Sequence, residues 1–168
     1  MNTKKIVLTA LFTALTAVAT MFIRIPLFIG YVNLGDVFVL LAVFVLGPIL
    51  GTMAGAIGAC VADLVGYITY APGTLIIKAL MALVAWLVCK VLTKITHKAL
   101  IGEIIGGVFG AIVMAFGYFV YEILFFVSAG VAIINLPWNL LQGAVGVVLS
   151  VAILRILKVT KVIDKINE

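Results

Sequence analysis

The stretch from Ile101 to Val127 reads IGEIIGGVFGAIVMAFGYFVYEILFFV, and it is apolar over nearly its whole length. About 20 such residues suffice for a helix to cross the hydrocarbon core of a bilayer. Gly102, Gly106 and Gly110 recur every four residues, a spacing that favours close approach of a second helix. Tyr118 and Glu122 are also four apart and share a helix face near the other end. The stretch therefore predicts a membrane-spanning helix with a packing stripe and a polar group.

The rest of the chain has the same character. Of its 168 residues, 66% are hydrophobic and 10% charged, and the mean hydropathy is +1.41. We predict an all-α integral membrane protein, a six-transmembrane-helix bundle that forms a single domain over residues 1–168. The predicted spans are Lys5–Ile23, Asp36–Leu46, Ile49–Val65, Thr74–Val91, Ile101–Val127 and Leu136–Leu157.

The basic residues predict the orientation of this bundle. Nine of the eleven lie before the first span, around the fourth-to-fifth loop, or after the sixth span, namely Lys4, Lys5, Lys90, Lys94, Lys98, Arg155, Lys158, Lys161 and Lys165. Six crossings put all three groups on one side, and short basic segments remain in the cytoplasm. Both termini are then cytoplasmic. We interpret the pI of about 9.4 as this topology signal and not as a nucleic-acid site.

Five ionisable residues do not fit the cytoplasmic pattern. They are Arg24, Asp36, Asp63, Lys78 and Glu122, and the same topology puts all of them in or near the outer face. A charge within a bilayer costs several kcal/mol unless it is paired or solvated, so such residues mark functional sites. We expect a polar cavity that opens to the exterior and is closed toward the cytoplasm by apolar helix.

Two outer loops supply the mouth of this cavity. The first, from Arg24 to Asp36, is apolar for a solvent loop and predicts a lid, with Tyr31 and Asn33 as its polar groups. Asp36 stands at a helix start, where it either caps backbone amides or contacts a ligand. The second loop places Tyr67 and Tyr70 at the mouth, where tyrosines are also common as interface residues.

The last three spans supply the remaining candidates. Lys78 forms a salt bridge with Asp63 or Glu122, contacts a substrate directly, or does both. The sixth span carries a polar and aromatic stripe at spacings of three and four, composed of Asn135, Trp138, Asn139 and Gln142. Amides in hydrocarbon are costly when unpaired, so this stripe must face protein, water or ligand. A stacking face with paired donors and acceptors suits a flat heterocycle.

Motifs of enzymes and ATPases are absent from the sequence. It has no Gly-x-x-x-x-Gly-Lys-Ser/Thr loop, no His-Glu-x-x-His, no Gly-x-Ser-x-Gly and no Cys-x-x-Cys. Cys60 and Cys89 lack neighbouring ligands at metal-binding spacing. We therefore predict a protein that is not an enzyme and that holds no cofactor and no metal.

The chain resembles the substrate-binding S components of energy-coupling-factor (ECF) vitamin transporters. The resemblance covers nearly the whole length and rests on an ordered set of segments: Ala10-x-x-x-Ala14, YVNLGD ending at Asp36, LGPILG ending at Gly51, Ala62-Asp63, and APGTLIIKALM ending at Met81. The stripe of alanines alone is unspecific, whereas the ordered set is more specific.

The resemblance implies a multi-pass protein of the prokaryotic plasma membrane that captures a vitamin from outside. It implies that Ala10 and Ala14 dock against a transmembrane T subunit, which two cytoplasmic ATP-binding subunits drive, and that the S component topples to release its cargo. The pocket would use the first and third loops and the outer parts of the last three helices, where Lys78, Tyr118, Glu122, Trp138, Asn139 and Gln142 lie. The Asn-Leu-Gly-Asp segment looks closest to members for hydroxymethylated heteroaromatics, such as pyridoxine or hydroxymethylpyrimidine, or for riboflavin.

Two other classes remain open on the sequence. A structural membrane scaffold of the cell-shape type would use the outer charges as mutual salt bridges and fill the cavity with side chains. A stand-alone secondary carrier would transport without ATP, although the sequence lacks the inverted halves with broken spans typical of such carriers.

Overall fold

Six α-helices make up most of the chain in the computed structural model, which describes residues 3–27, 31–126, 129–161 and 163. The predicted end of the fifth span at Val127 and the basic residue Lys165 lie outside the described residues. The helices are α1 Thr3–Phe22, α2 Gly35–Leu46, α3 Pro48–Gly66, α4 Ala71–Thr96, α5 Ala99–Phe126 and α6 Ala129–Val159.

The short helix α2 lies at the centre of the bundle. It packs against α1, α3, α4 and α6, and Val39, Leu40, Ala42 and Val43 along it are fully buried. A helix that is apolar on every side must be covered on every side. These four helices therefore surround α2, and the outer faces of the bundle turn toward lipid.

Five of the six helices are long and apolar enough to cross a membrane. The exception is α2, whose 12 residues extend only about 18 Å, less than the roughly 30 Å hydrocarbon core. The prediction of an all-helical apolar bundle is thus confirmed at the level of five long apolar helices and one short one.

Glycine and proline set the sharp turn between α2 and α3. Gly47 has a φ of +82°, a left-handed conformation that residues with a Cβ rarely adopt. Pro48 follows at the start of α3, where a missing backbone N–H costs nothing because the first amides of a helix have no intrahelical partner. The two helices consequently form a tight hairpin.

The glycine stripe of α5 lies against α4. A Cβ added at Gly106 would stand 2.4 Å from the Ala85 carbonyl oxygen, and one at Gly110 would stand 2.8 Å from that of Met81. Side chains at these positions would push the two helices apart. The stripe is therefore used for packing inside the bundle, where lipid supplies no hydrophobic drive for association.

An antiparallel hairpin interrupts the all-helical pattern between α1 and α2. Its strands are β1 Arg24–Pro26 and β2 Tyr31–Asn33, and Ile25 pairs with Val32. The sequence predicted that this segment forms a lid, but it did not predict the pairing of the two strands. The hairpin brings Tyr31 and Asn33 back over the end of the bundle.

A buried cluster of charged residues occupies the end of the bundle opposite the hairpin, and the sequence analysis did not predict it. Glu103 of α5 is buried and forms ion pairs with Arg155 and Lys158 of α6, both of which are partly exposed. Two of the residues read as basic topology signals thus also neutralise an acidic residue between the helices. The sequence did contain a signal for this cluster: a single acidic residue lies early in one apolar span, and basic residues lie late in the next.

Candidate functional site

A polar cavity lies where the ends of α1, α3 and α5 meet the beginnings of α4 and α6, beneath the hairpin. Its lining combines hydroxyl, amide, carboxylate and ammonium groups with a few apolar ones. The lining residues are Thr20, Leu27, Tyr31, Asn33, Ala59, Asp63, Tyr70, Thr74, Lys78, Tyr118, Glu122, Asn139 and Gln142. Below it, the apolar side chains of Val39, Leu40, Met81 and Met114 close the bundle.

Asp63, at the end of α3, accepts two hydrogen bonds. The Tyr31 hydroxyl of the hairpin donates to Oδ1, and the Thr74 hydroxyl of α4 donates to Oδ2. The Tyr118 hydroxyl lies 2.9 Å from Thr74 Oγ1, and it is the donor of that pair because Thr74 gives its own proton to Asp63. One carboxylate thus connects the hairpin, α3, α4 and α5.

Lys78 is paired with Asp36, and this corrects the expectation that its partner is Asp63 or Glu122. The Nζ atom of Lys78 donates to Asp36 Oδ1, and both side chains are about 2% exposed or less. Gln142 Nε2 donates to the other carboxylate oxygen at 2.7 Å. Removing water from two charges is costly, so this close pairing with an added hydrogen bond is what makes the burial tolerable.

Asp36 does not cap its helix. The N-cap position of α2 is Leu34, which makes no side-chain cap hydrogen bond, and Asp36 is the second residue of the helix. Its carboxylate is occupied by Lys78 and Gln142 instead. Of the two roles that the sequence left open for Asp36, capping is therefore wrong, and the residue orients two side chains that line the cavity.

Glu122, at the far end of α5, is only 3% exposed. Its Oε1 accepts hydrogen bonds from the Tyr70 hydroxyl and from Asn135 Nδ2, each at 3.1 Å. Its Oε2 is buried and has no hydrogen-bond partner among the described residues. Buried carboxylate oxygens nearly always accept a hydrogen bond, so Oε2 lacks the hydrogen-bond donor that such an atom usually has.

Tyrosine rings form one side of the cavity and its mouth. Tyr67 makes edge contacts with Tyr31 and Tyr70, at centroid distances of 5.7 and 5.9 Å. Tyr70 in turn lies 6.2 Å from Tyr118. The exposed Arg24 stands over the outer face of Tyr31, 5.4 Å from its centroid.

The phenols of Tyr31 and Tyr70, which lie outside the helices, stay protonated. Burial, the hydrogen bond to Asp63 and the charge of Asp63 raise the pKa of Tyr31 well above its usual value. Burial and the nearby charge of Glu122 do the same to the pKa of Tyr70. Both hydroxyls therefore act as hydrogen-bond donors to carboxylates at any physiological pH.

The hairpin is held over the cavity by polar contacts with two helices. Besides the bond from Tyr31 to Asp63, the backbone N–H of Asn33 donates to Gln142 Oε1 at 2.7 Å. The Asn33 side chain accepts from the backbone N–H of Gly35 at 2.8 Å, which shapes the turn into α2. The side chains that hold the hairpin in these two bonds, Asp63 and Gln142, also line the cavity.

The cavity is narrow. The cavity volume is about 30 Å³, which is room for two or three waters at most, since each needs at least about 10–15 Å³. A heterocyclic ligand must therefore displace tyrosine side chains or lift the hairpin to gain access.

Three of the predicted site residues do not line the cavity. Asp36 is buried and bonded to the lining residues Lys78 and Gln142. Trp138 is 46% exposed on the outside of α6, so the stacking face that the sequence assigned to it is not available in the cavity. Tyr67 stands at the mouth and contacts the lining tyrosines without being one of them. Thr20, Thr74 and Leu27 do line it, although the sequence gave no reason to select them.

An apolar helical bundle with a polar, lidded cavity at one end is typical of membrane proteins that bind small molecules between their helices. A family model described as the S component of ECF-type riboflavin transporters matches residues 1–159. The chain belongs to this family, whose members are vitamin-binding membrane subunits of transporters and not enzymes.

The chain is also similar to one curated protein and to one solved structure. A protein of Pyrococcus woesei, described as uncharacterised and located in the gap 3′ region, is 32% identical over 143 residues, covering 84% of this chain and 93% of the relative. A solved structure, reported as that of the S component of a bacterial ECF transporter, covers 92% of this chain and 95% of its own, with a TM-score of 0.67. At 23% identity, that structure supports the fold.

Proposed function

We propose that this protein captures a vitamin or vitamin precursor from outside the cell and hands it to an ATP-driven transport complex. The ligand class is a hydroxymethylated heteroaromatic, such as pyridoxine or hydroxymethylpyrimidine, or riboflavin. The observation that carries the proposal is a polar cavity under a hairpin, enclosed at one end of an apolar bundle, in a chain of the S-component family.

The cavity residues take distinct roles in this proposal. Tyr70 and Tyr118 supply aromatic surface, while Asp63, Lys78, Glu122, Asn139 and Gln142 supply polar contacts to the ligand. Asp36 orients Lys78 and Gln142, and Tyr31 and Asn33 hold the hairpin closed over the bound ligand. Tyr67 braces the mouth.

In the proposed topology, the chain crosses a prokaryotic plasma membrane six times and keeps both termini in the cytoplasm. The basic side chains at the ends of α4 and α6, on the side of the bundle opposite the cavity, support this orientation. The cavity then faces the external medium. The short α2 would complete its crossing with the help of the surrounding helices, which shield its ends from lipid.

The partners in this proposal are a transmembrane T subunit and two ATP-binding subunits. Ala10 and Ala14 are exposed on α1, whereas Phe12 and Thr16 on the same helix are buried. A flat exposed stripe of small residues permits another helix to approach closely. We assign this stripe to the T subunit.

Ligand identification tests the proposal directly. The protein is purified from its host membrane, its bound small molecules are identified by native mass spectrometry, and a vitamin panel that includes riboflavin is titrated by calorimetry. Saturable binding of one compound is expected. Folded protein that binds none of the panel and carries no small molecule would instead favour the structural scaffold.

Transport assays separate the capture subunit from a stand-alone carrier. Reconstituted vesicles should accumulate the identified vitamin only when the T subunit, both ATP-binding subunits and hydrolysable ATP are present. Accumulation by this chain alone, without ATP, would establish the carrier and overturn the proposed coupling.

A further inference from the structure

Within the part of the chain that the structure describes, the carboxylates that face the cavity form no ion pair of their own. The described residues contain three ion pairs, formed by Lys78 with Asp36 and by Arg155 and Lys158 with Glu103. Neither Asp63 nor Glu122 takes part in one. Asp63 is satisfied by two hydroxyl donors, whereas Glu122 retains a buried oxygen that accepts nothing among the described residues.

The nearby cations do not remove this excess of negative charge. Lys78 is bound by Asp36, so that pair is neutral as a whole. Arg24 is exposed at the mouth and lies against the outer tyrosine ring. Among the described residues, the buried charged groups at the cavity or bonded to its lining are one cation, Lys78, and three carboxylates, Asp36, Asp63 and Glu122. This composition favours a ligand bringing positive charge.

The aromatic walls favour the same kind of ligand. Tyr70 donates its hydroxyl to Glu122 and stands 6.2 Å from Tyr118, so both rings lie on the side of the cavity near the unbonded oxygen. Tyrosine faces attract cations, and such interactions strengthen when water is excluded. The Lys78 ammonium already stands 5.3 Å from the Tyr118 centroid, which shows that this ring tolerates a cation at close range.

Resting on the proposed function, we propose that the ligand carries a cationic nitrogen, as a protonated amine or a charged ring nitrogen, that binds Glu122 Oε2 beside Tyr70 and Tyr118. An N–H of the ligand then completes the hydrogen bonding of Glu122 and neutralises its charge. The narrow cavity favours a single small ring over a fused three-ring system, because less tyrosine surface has to move. The substrate class is a small amino-substituted or cationic nitrogen heteroaromatic.

A matched pair of ligands tests this inference. Pyridoxamine and pyridoxine share one ring and differ by an aminomethyl group in place of a hydroxymethyl group, so that only pyridoxamine carries the extra ammonium charge. The two are titrated calorimetrically at pH 7 into the purified full chain, alongside thiamine, which bears a fixed positive charge, and riboflavin, which is neutral. Cationic ligands are expected to bind at least about tenfold more tightly than their neutral counterparts, as for a charge-assisted hydrogen bond.

The substitution Glu122→Gln removes the charge but preserves the size and one acceptor oxygen. It should reduce the preference for pyridoxamine over pyridoxine to about one. The matched control is Glu103→Gln, which removes a buried carboxylate at the opposite end of the bundle and should leave the preference unchanged. Should Glu122→Gln fail to fold, the preference measured on the unaltered chain still decides whether the ligand is cationic.

The outcomes distinguish this inference from the function on which it rests. Equal or tighter binding of pyridoxine or riboflavin would overturn the cationic ligand while leaving vitamin capture intact. A preference for cations that survives Glu122→Gln would overturn the assignment to Glu122. Binding of none of the four compounds, nor of any other vitamin, would overturn the inference together with the proposed function.

Discussion

Lys78 of α4 and Asp36 of α2 form a buried salt bridge between residues 42 positions apart in the chain. It joins the central helix to the wall of the cavity, and Gln142 of α6 extends it to a third helix. The pair therefore supports the fold and positions two cavity side chains at once.

Breaking this pair from one side should destabilise the protein strongly. Lys78→Met leaves Asp36 as an unpaired buried charge, and such losses cost about 3–5 kcal/mol. The double substitution with Asp36→Asn removes both charges and should recover most of the loss. Thermal unfolding in detergent measures both effects, with Lys90→Met on the exposed part of α4 as the control. Equal stability of the single and double variants would show that the two residues are not coupled.

Tyr31→Phe should weaken the closure of the hairpin over a ligand. The variant loses the hydroxyl that bonds to Asp63 and keeps the ring that packs against Tyr67. A hydrogen bond to a charged group contributes about 1.5–3 kcal/mol, so the dissociation rate of a bound ligand should rise about tenfold or more. Stopped-flow release from the preloaded protein measures this rate.

The matched control for the hairpin is Tyr121→Phe. The Tyr121 hydroxyl donates to the Thr69 carbonyl oxygen at 2.6 Å and does not line the cavity. Its loss should leave the dissociation rate within about twofold of the original, as expected for a hydrogen bond remote from the ligand. A similar acceleration in both variants would mean that the outer loops as a whole, and not the Tyr31 latch, retain the ligand.

Trp138→Phe should have little effect on ligand binding, whereas Asn139→Ala should weaken it. Trp138 is 46% exposed outside the cavity, and Asn139 is buried at its wall. Truncation of a buried polar contact costs about 1–3 kcal/mol, which corresponds to roughly ten- to hundredfold in affinity. Calorimetry on both variants checks this. A sharp loss with Trp138→Phe would restore the stacking role that the sequence predicted.

The position of Trp138 illustrates what helical spacing can and cannot predict. Successive residues turn by about 100°, so Asn139 and Gln142 lie within about 40° of Asn135, whereas Trp138 lies about 60° away on one side. The polar stripe was therefore visible in the sequence, but its aromatic member lies at the edge, where lipid or a neighbouring helix competes for it. Spacing gives the direction of a side chain and not the boundary of the face that is covered.

The partner of Lys78 could not be predicted from the sequence, for a related reason. Alternating crossings bring Asp36, Asp63 and Glu122 to the same end of the bundle, so depth alone does not distinguish them as partners of Lys78. The choice depends on which helix faces α4, and the central burial of α2 decides it. Similarly, strands of three residues in the hairpin are too short to produce a recognisable alternation.

Glu103→Gln should destabilise the bundle without altering ligand affinity. The buried Glu103 carboxylate accepts from Arg155 and Lys158, and its loss leaves the buried Nε side of Arg155 without a nearby negative charge. Because both cations are partly exposed, the cost should stay near 1–3 kcal/mol, below that of the Lys78 substitution. Unfolding and calorimetry on the same preparation test the separation. A change in ligand affinity would reveal coupling between the two ends.

Substitution of Ala10 and Ala14 by Trp should abolish assembly with the T subunit while leaving the fold and ligand binding intact. Both residues are exposed on α1, so bulk at these positions meets lipid in the isolated subunit but obstructs a helix that must approach closely. The control is Ala152→Trp, which adds the same bulk to an exposed position on α6. Co-purification with the T subunit and ATP-driven uptake should both be lost only in the α1 variants. Loss in the Ala152 variant as well would indicate a broad interface, and assembly that survives both α1 substitutions would move the docking surface to another helix.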